Sequence, residues 1–469
     1  MKRSGLLAAV ALSATLAGCV LMNTTDPYAP SVGPAPGQGA PAPAAGTGAL
    51  PESLTLPKAI EIALANNPGI AAGGWDIRAA EARRDLTAGA VLPSLHAVGG
   101  YTHYLDDQRL IAARESRDWG SPFTDDIFSA DLVLTMPLYT GGRLISEIKA
   151  AELLRKAVEH RLARSREELI FNVSSLFHGI LAQGSVIDSL EFSRKALQEH
   201  RRRVQDLLAV QKAARVDLLR TEVRLADLEQ RLVSERNVLA VQKRVLASLL
   251  GISGAEQPIT LEGSLTLPEE GPTPSLKANL ATALRQRPDY LAARAALEAQ
   301  ARKVDAARAA RYPTIALQGT YGGRWGPDPS QRPAGANEAD DVGSVGIVVD
   351  VPVFEGGRID AAIREQKAQL ESDRQRLREL ELRIDLDVET ATLNVASARE
   401  RFLAAEKAVE QAKESLRIER EKYDLGKGAI VDVLDVQSAL LDSQTNYYRA
   451  LAEYHTAVAQ RRLAVGEEP

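Results

Sequence analysis

The sequence predicts a mainly α chain with a transmembrane β part, built as a duplicated strand-loop-strand and long-helix unit. Three observations point there. Two stretches, Arg143 to about Ala209 and Arg358 to about Leu425, lack proline over about 67 residues each, which as helix is roughly 100 Å at 1.5 Å per residue. Two pairs of runs alternate apolar and polar side chains with the period of a strand. Landmarks of the first half also recur in the second at a nearly fixed offset. Composition agrees: only 4% of the 469 residues are aromatic, which favours wide helix surfaces of Ala, Leu, Val, Arg and Glu over aromatic-centred cores. Lys plus Arg number 57 and Asp plus Glu 62, a formal net charge of -5 with no electrostatic footprint for nucleic acid.

At the amino terminus Lys2 and Arg3 precede an apolar run from Leu6 to Leu16 that closes on Leu16-Ala17-Gly18-Cys19. Residues 1–18 read as an export signal, too short to span a membrane. Small residues fit a peptidase cleft, and the thiol of Cys19 can accept a diacylglyceryl group before cleavage makes it the new terminus. This motif resembles a bacterial lipobox. An ordinary signal peptide with an incidental cysteine is the alternative, although the single cysteine of the chain falls at the lipobox position. Removing residues 1–18 takes away two positive charges, so -5 becomes -7. Acyl chains would anchor Cys19 to a leaflet without making the chain span it. From Ala29 to Leu50, 17 of 22 residues are Ala, Pro or Gly, too little apolar surface to offset ordering entropy, so 19–53 reads as a lipid-anchored tether.

Duplication organises the rest. Ala63-Leu64 with Pro68 recurs as Ala283-Leu284 with Pro288, and Leu92-Pro93-Ser94-Leu95 as Tyr312-Pro313-Thr314-Ile315, both offset by 220. Met136-Pro137-Leu138-Tyr139-Thr140-Gly141-Gly142-Arg143 recurs as Val351-Pro352-Val353-Phe354-Glu355-Gly356-Gly357-Arg358, offset by 215. The same 215 relates Lys212, Ala214, Val216, Asp217 and Leu219 to Lys427, Ala429, Val431, Asp432 and Leu434. Two repeats follow, 54–252 and 276–466, joined by a connector, 253–275. Each is expected to run helix, strand, loop, strand, very long helix, turn, helix.

The expected strands are about 94–104 and 128–139, then about 314–325 and 343–354. In the second strand Phe128, Ala130, Leu132, Leu134, Met136 and Leu138 face one way, and Ser129, Asp131, Val133 and Thr135 the other. Val345, Ile347, Val349, Val351 and Val353 likewise oppose Ser344, Gly346 and Asp350. Such runs suit a membrane-spanning barrel; a soluble hairpin under a helix would alternate in the same way. If they are transmembrane, one chain does not suffice. Four strands are fewer than the roughly eight that a closed barrel needs, and open edges leave unpaired backbone groups in lipid.

The long helices, about 143–209 and 358–425, are followed by helices at about 216–250 and 431–465. Leu144, Ile148, Ala151, Leu154, Val158, Leu162, Ser165, Leu169, Val173, Leu176 and Ile180 recur every 3.6 residues, the period of a nearly straight helix rather than a tight coiled coil. Gly141-Gly142 and Gly356-Gly357 supply the backbone freedom for a strand to pass directly into a helix.

Taken with the lipobox, this pattern resembles the TolC family of outer-membrane efflux channels, and the likeness is most specific over Tyr423-Asp424-Leu425-Gly426-Lys427-Gly428-Ala429-Ile430-Val431-Asp432-Val433-Leu434-Asp435. The resemblance implies a homotrimer: a 12-stranded outer-membrane β-barrel continued by a periplasmic α-helical barrel. It also implies an inner-membrane efflux pump and a periplasmic adaptor (membrane fusion) protein as partners, with outer-membrane lipids around the barrel. The turns would form the adaptor-contact tip, with Lys212, Ala213, Ala214 and Val216 from the first repeat and Gly426, Lys427, Gly428 and Ala429 from the second. Tyr423 matches the family's gating tyrosine, whereas Gly428 stands where its best-known members carry a latch arginine. Asp432 and Asp435, three apart, share a helix face. Threefold symmetry would make them two carboxylate rings that select and bind cations. Two solvated carboxylates near a helix start, favoured by its dipole, would read the same. In the first repeat Arg220 stands where Asp435 would be.

No enzyme is expected. His96, His103, His160, His178, His200 and His455 show no i, i+4 ligand spacing, and Gly-Gly-Arg after a strand lacks the phosphate-loop fingerprint. Neither cofactor nor resident metal is called for, and the one candidate cation site is Asp432 with Asp435. The function expected is a passive conduit exporting drugs or metal ions. The alternatives are a type I secretion channel for polypeptides and a periplasmic coiled-coil structural lipoprotein.

Overall fold

The computed structural model describes residues 53–109, 123–211, 214–252, 259–267, 275–325, 340–425 and 427–467. Cys19 and almost all of the tether lie outside them. Each repeat opens with two helices, where the sequence suggested one: α1 (Leu56–Asn66) and α2 (Pro68–Gly89) in the first, and α5 (Leu276–Gln286) and α6 (Pro288–Ala309) in the second. Proline forces the break, because the residue before it is driven out of the helical region. Asn67 and Arg287 both sit at ψ 121°. Asn67 Oδ1 then accepts from the Gly69 and Ile70 amides and caps α2.

Between the short helices and the long ones stand the strands β1 (Ser94–Arg109) and β2 (Phe123–Tyr139), then β3 (Thr314–Trp325) and β4 (Asp340–Asp350). They form one antiparallel sheet in the order β1-β2-β3-β4, with β1 and β4 at its edges. The first hairpin is longer than its alternation suggested. β4, by contrast, ends at Asp350 instead of continuing to 354, since Pro352 has no amide to give to a ladder. Register shifts between Pro137 and Tyr139, so Tyr139 pairs with Ile315 and Leu138, expected on the apolar face, is the extra residue of a bulge.

The long helices are α3 (Arg143–Ala209) and α7 (Arg358–Asp424), 67 residues each. They are followed by α4 (Arg215–Leu249) and α8 (Ile430–Val465). On α7 the buried residues Ile384, Val388, Ala391, Val395, Ala398 and Phe402 keep the 3.6-residue period of one face. On α3 burial is wider than one stripe, because α2 and α6 cover it near its start and α4 and α8 further on. Ala150, Ala157 and Phe177 are buried beside Leu162, Leu169, Val173 and Ile180, whereas Ser165 is exposed. One window of α3 is apolar enough to cross a membrane, but half of it is buried among these neighbours.

The repeats are closed by the same joint. Gly251 (φ 70°) ends α4 against the Asn66 carbonyl, and Gly466 (φ 82°) ends α8 against the Arg287 backbone. Asn67 Nδ2 donates to the Leu249 carbonyl, and Arg287 Nη1 to the equivalent Ala464 carbonyl. Arg287 is only 2% exposed and also pairs with Asp289 and Asp387. Burial pushes the Asp289 carboxyl up, but the Arg287 guanidinium outweighs it and holds the group below its usual range.

Candidate functional site

Pairing register sorts every strand residue onto one of two faces. Leu95, Ala97 and Tyr101 of β1 lie opposite Leu134, Leu132 and Phe128 of β2. Leu132 lies opposite Tyr321, which lies opposite Gly343, while Leu317 and Ile315 meet Ile347 and Val349. The other face carries His96, Thr102, Ser129, Asp131, Thr135, Gln318, Thr320, Ser344, Gly346 and Asp350. The first face is apolar except near the loop end, where His103 meets Asp126, whereas the second mixes these polar residues with Val98, Ile127, Val133, Ala316 and Val348; that contrast suits a wall between lipid and a wet lumen. Leu132, Tyr321, Val345 and Ile347 are exposed in the single chain.

Strands pass into long helices through paired glycines in the left-handed region: Gly141 and Gly142 at φ 62° and 84°, Gly356 and Gly357 at 58° and 79°. A Cβ on Gly141 would come within 2.7 Å of the Ala309 carbonyl oxygen and 2.8 Å of Tyr312 Cβ, whereas one on Gly356 meets nothing within 4 Å.

At the far end of the long helices the second turn holds the expected gate residues. Ile430, Val433 and Leu434 are buried in a cluster with Leu190 and Leu197 of α3 and Leu225, Leu228 and Leu232 of α4. Tyr423 packs on that cluster, and its ring lies 5.8 Å from the His200 ring, edge to face. Burial of Val433 and Leu434 turns Asp432 and Asp435 outward together, and both are exposed. Their surroundings differ. Asp435 accepts from Arg224 Nη2 of α4 at 2.8 Å, and one heptad on Asp442 accepts from Arg231 at 2.8 Å, whereas Asp432 has no ion pair among the described residues. In the first turn Arg220 stands 3.9 Å from Asp217.

Gly428 is tightly placed: a Cβ there would lie 3.1 Å from Lys422 Cβ and 3.2 Å from the Tyr423 amide nitrogen, so a larger side chain would have to displace the end of α7. Of the expected tip residues, Ala214, Val216, Lys427 and Ala429 are exposed, while Lys212, Ala213 and Gly426 lie outside the described residues. The Arg224–Asp435 and Arg231–Asp442 pairs escaped sequence reasoning because their partners are 211 residues apart. A shared spacing of seven on both helices was the available signal. His103 likewise gains neighbours the spacing did not show, with Asp126 at 2.8 Å and Asp125 at 4.0 Å, and the Tyr101 hydroxyl also donates to Asp126.

Comparison with known proteins fits this geometry. The family model described as "Outer membrane efflux protein" matches residues 59–252 and 279–467, one segment per repeat. Among curated relatives, the outer membrane protein TolC of Vibrio cholerae is 22% identical over 377 residues, covering 80% of this chain and 82% of that protein. The pyoverdine export outer membrane protein OpmQ of Pseudomonas putida is 28% identical over 472 aligned residues, covering 94% and 93%. The solved outer-membrane channel OprN superposes with a TM-score of 0.72 at 21% identity, over 88% of this chain and 91% of that one. CusC, whose structures concern transmembrane channel formation, gives 0.74 at 18%, over 88% and 92%. With both repeats matched along nearly all of the described chain, the protein belongs to the outer membrane efflux protein family.

Proposed function

We propose that three copies of this chain form the outer-membrane channel of a tripartite efflux system, a passive conduit for small molecules delivered by an inner-membrane pump through a periplasmic adaptor. The observation that carries the ring is a set of joints with no counterpart among the described residues of the chain. Within each repeat the contacts match: α2 with α3 as α6 with α7, and α3 with α4 as α7 with α8. Across the repeats β2 pairs with β3, α3 packs on α6, and α3 packs on α8. Their equivalents, β4 with β1, α7 with α2 and α7 with α4, form no comparable joint among the described residues. A neighbouring copy supplies all three at once. Leu92, equivalent to Tyr312, would then fill the space over Gly356. Such a head-to-tail contact closes into a ring when its rotation divides a full turn. Two copies would give about eight strands, a barrel whose interior side chains fill; three give twelve and leave a lumen.

Acylation at Cys19, a gate at Asp432, Asp435 and Tyr423, and adaptor docking at the two turns complete the proposal. Relatives named for protease secretion, PrtF of Dickeya chrysanthemi at 24% identity and AprF of Pseudomonas aeruginosa at 23%, favour polypeptide secretion as the second reading. The test is to extract the full chain with detergent, measure its mass and record conductance in planar bilayers. A three-chain particle that conducts is expected. Release by carbonate alone, or a monomer without conductance, refutes the channel; co-purification with a polypeptide-exporting pump selects the second reading.

A further inference from the structure

About halfway along α3, His178 lies ring on ring with His455 of α8, centroids 4.2 Å apart and planes 15° from parallel. His455 Nε2 is 2.8 Å from the Thr266 carbonyl oxygen, which can only accept, so this nitrogen carries a proton and donates. Thr266 belongs to a strap, residues 259–267, fastened at three further points. Leu261 bridges Leu54, Gly263 packs on Phe177 and Leu181 of α3, and Leu265 packs against Phe402 and Leu451. The stacked rings therefore sit where α3, α8 and the strap meet.

Packing alone does not ask for imidazoles here. By the 215-residue offset, His178 is equivalent to Leu393 and His455 to Ala240, so the same place in the second cross-repeat joint is apolar. Both rings are held neutral. Burial, and after it the neighbouring His455, push His178 down to about 4, with the Ser174 carbonyl opposing. Burial also pushes His455 down against the Thr266 carbonyl. The adjoining cleft, lined by Ser175, Gly179 and Thr456, contains Arg401 of α7 and Glu453 of α8, but these pair with each other at 3.2 Å, and α4 contributes the neutral Gln242. Glu262 is the one charged residue of the strap. Neither ring has an ion pair among the described residues.

We propose that the His178–His455 stack is an acid-sensitive clasp: a proton taken up by either ring puts a charge into this enclosed joint, where no carboxylate faces it among the described residues, and so parts α3 from α8 and releases the strap. The direction follows from linkage. A histidine whose folded value lies below its free value favours the closed state fully above the free value, near 6.5, and loses that contribution as pH falls from there toward 4. For His178 alone, the strap's opening constant should rise about 30-fold between pH 7.5 and pH 5.

Hydrogen exchange of the full chain in detergent, read on peptides covering 259–267 and scaled for intrinsic rate, tests this. Wild-type protein should exchange about 30-fold faster at pH 5 than at pH 7.5. His178→Leu, which adopts the residue of the repeat equivalent, should cut the response to what His455 alone contributes. His455→Gln, which keeps a donor toward the Thr266 carbonyl without a titrating ring, should reduce it less, since burial still holds His178 below its usual value. A wild-type strap indifferent to pH, or variants whose acid response is as large as the wild type's, overturns the clasp. Strap exchange is read without conductance, so failure of the clasp leaves the channel standing, and a chain that does not conduct still reports on the clasp.

Discussion

If β4 of one copy continues onto β1 of the next as β2 continues onto β3, the register between copies follows from the repeat. β2 places Thr135 opposite Gln318 and Asp131 opposite Gly322. Adding 215 to the first of each pair and subtracting 220 from the second sets Asp350 opposite Val98 and Gly346 opposite Thr102 of the neighbour. Asp350→Cys combined with Val98→Cys then puts one matched pair at every junction. Opposed Cβ atoms are about 4.5–5.5 Å apart in an antiparallel pair, close to the roughly 3.5–4.5 Å of a disulfide. Within one copy β1 and β4 are separated by β2 and β3, about 14 Å away, so an internal bond is excluded. Val98→Cys with Gly346→Cys is the control, displaced by four residues or about 14 Å along the strand. The single native cysteine, Cys19, is not one of the strand residues. Mild oxidation followed by a non-reducing denaturing gel should show three covalently joined chains for the matched pair and single chains for the control. Crosslinking of the control in preference to the matched pair refutes the register, and with it the idea that the internal joint is the template for the joint between copies.

The sheet faces, gate and anchor give three further tests. Leu132→Arg, facing Ala97 and Tyr321, should cost about 2–4 kcal/mol near the bilayer midplane in refolding into lipid vesicles, whereas Thr135→Arg, between Ser94 and Gln318, should be nearly neutral; equal costs would remove the lipid-face assignment. Asp432→Asn with Asp435→Asn should lower cation preference and block by trivalent cations in planar bilayers, and Arg224→Ala, by freeing Asp435, should raise both. Unchanged selectivity in both variants places the constriction elsewhere. Cys19→Ser should abolish incorporation of labelled fatty acid while the three-chain assembly persists, because closure of the barrel supplies most of the membrane anchoring; retained label contradicts the lipobox reading.

Much of the architecture is legible in the sequence because it rests on periodicity. A proline-free run with a 3.6-residue apolar period has one regular solution at that length, and the alternation of Phe128, Ala130, Leu132 and Leu134 against Ser129, Asp131, Val133 and Thr135 fixes two faces before any partner is known. What was missed is short or non-local. The breaks before Pro68 and Pro288 interrupt helices without changing their hydrophobicity. The bulge at Leu138 depends on how β2 meets β3, and the early end of β4 on a single missing amide at Pro352. At the tip, sequence places Asp432 and Asp435 on one face but treats them alike, and only the fold brings Arg224 against Asp435. The buried Arg287 looks like any helix-flanking arginine until the second repeat is closed around it.

On the proposed ring, the backbone has six similar joints, and side chains divide them into two kinds. The three within chains carry Arg224 with Asp435, Arg231 with Asp442, Ser175 hydrogen-bonded to Thr456, and the stacked His178 and His455. By the repeat offset, the three between chains would carry Ala439 with Arg220, Asn446 with Asp227, Thr390 with Val241, and Leu393 with Ala240. Neither Arg–Asp pair survives that translation, and the imidazole stack becomes an apolar contact. Exposed ion pairs add little stability, but they fix which surfaces meet and in what register. Alternate seams of the helical wall are therefore tied differently: ion pairs and hydrogen bonds hold α8 to α3 and α4 of its own chain, while contacts without an ion pair hold α7 and α8 to α4 of the next. A motion that widens the tip should begin at the second kind of seam, since those joints separate without stripping Asp435 and Asp442 of their arginines.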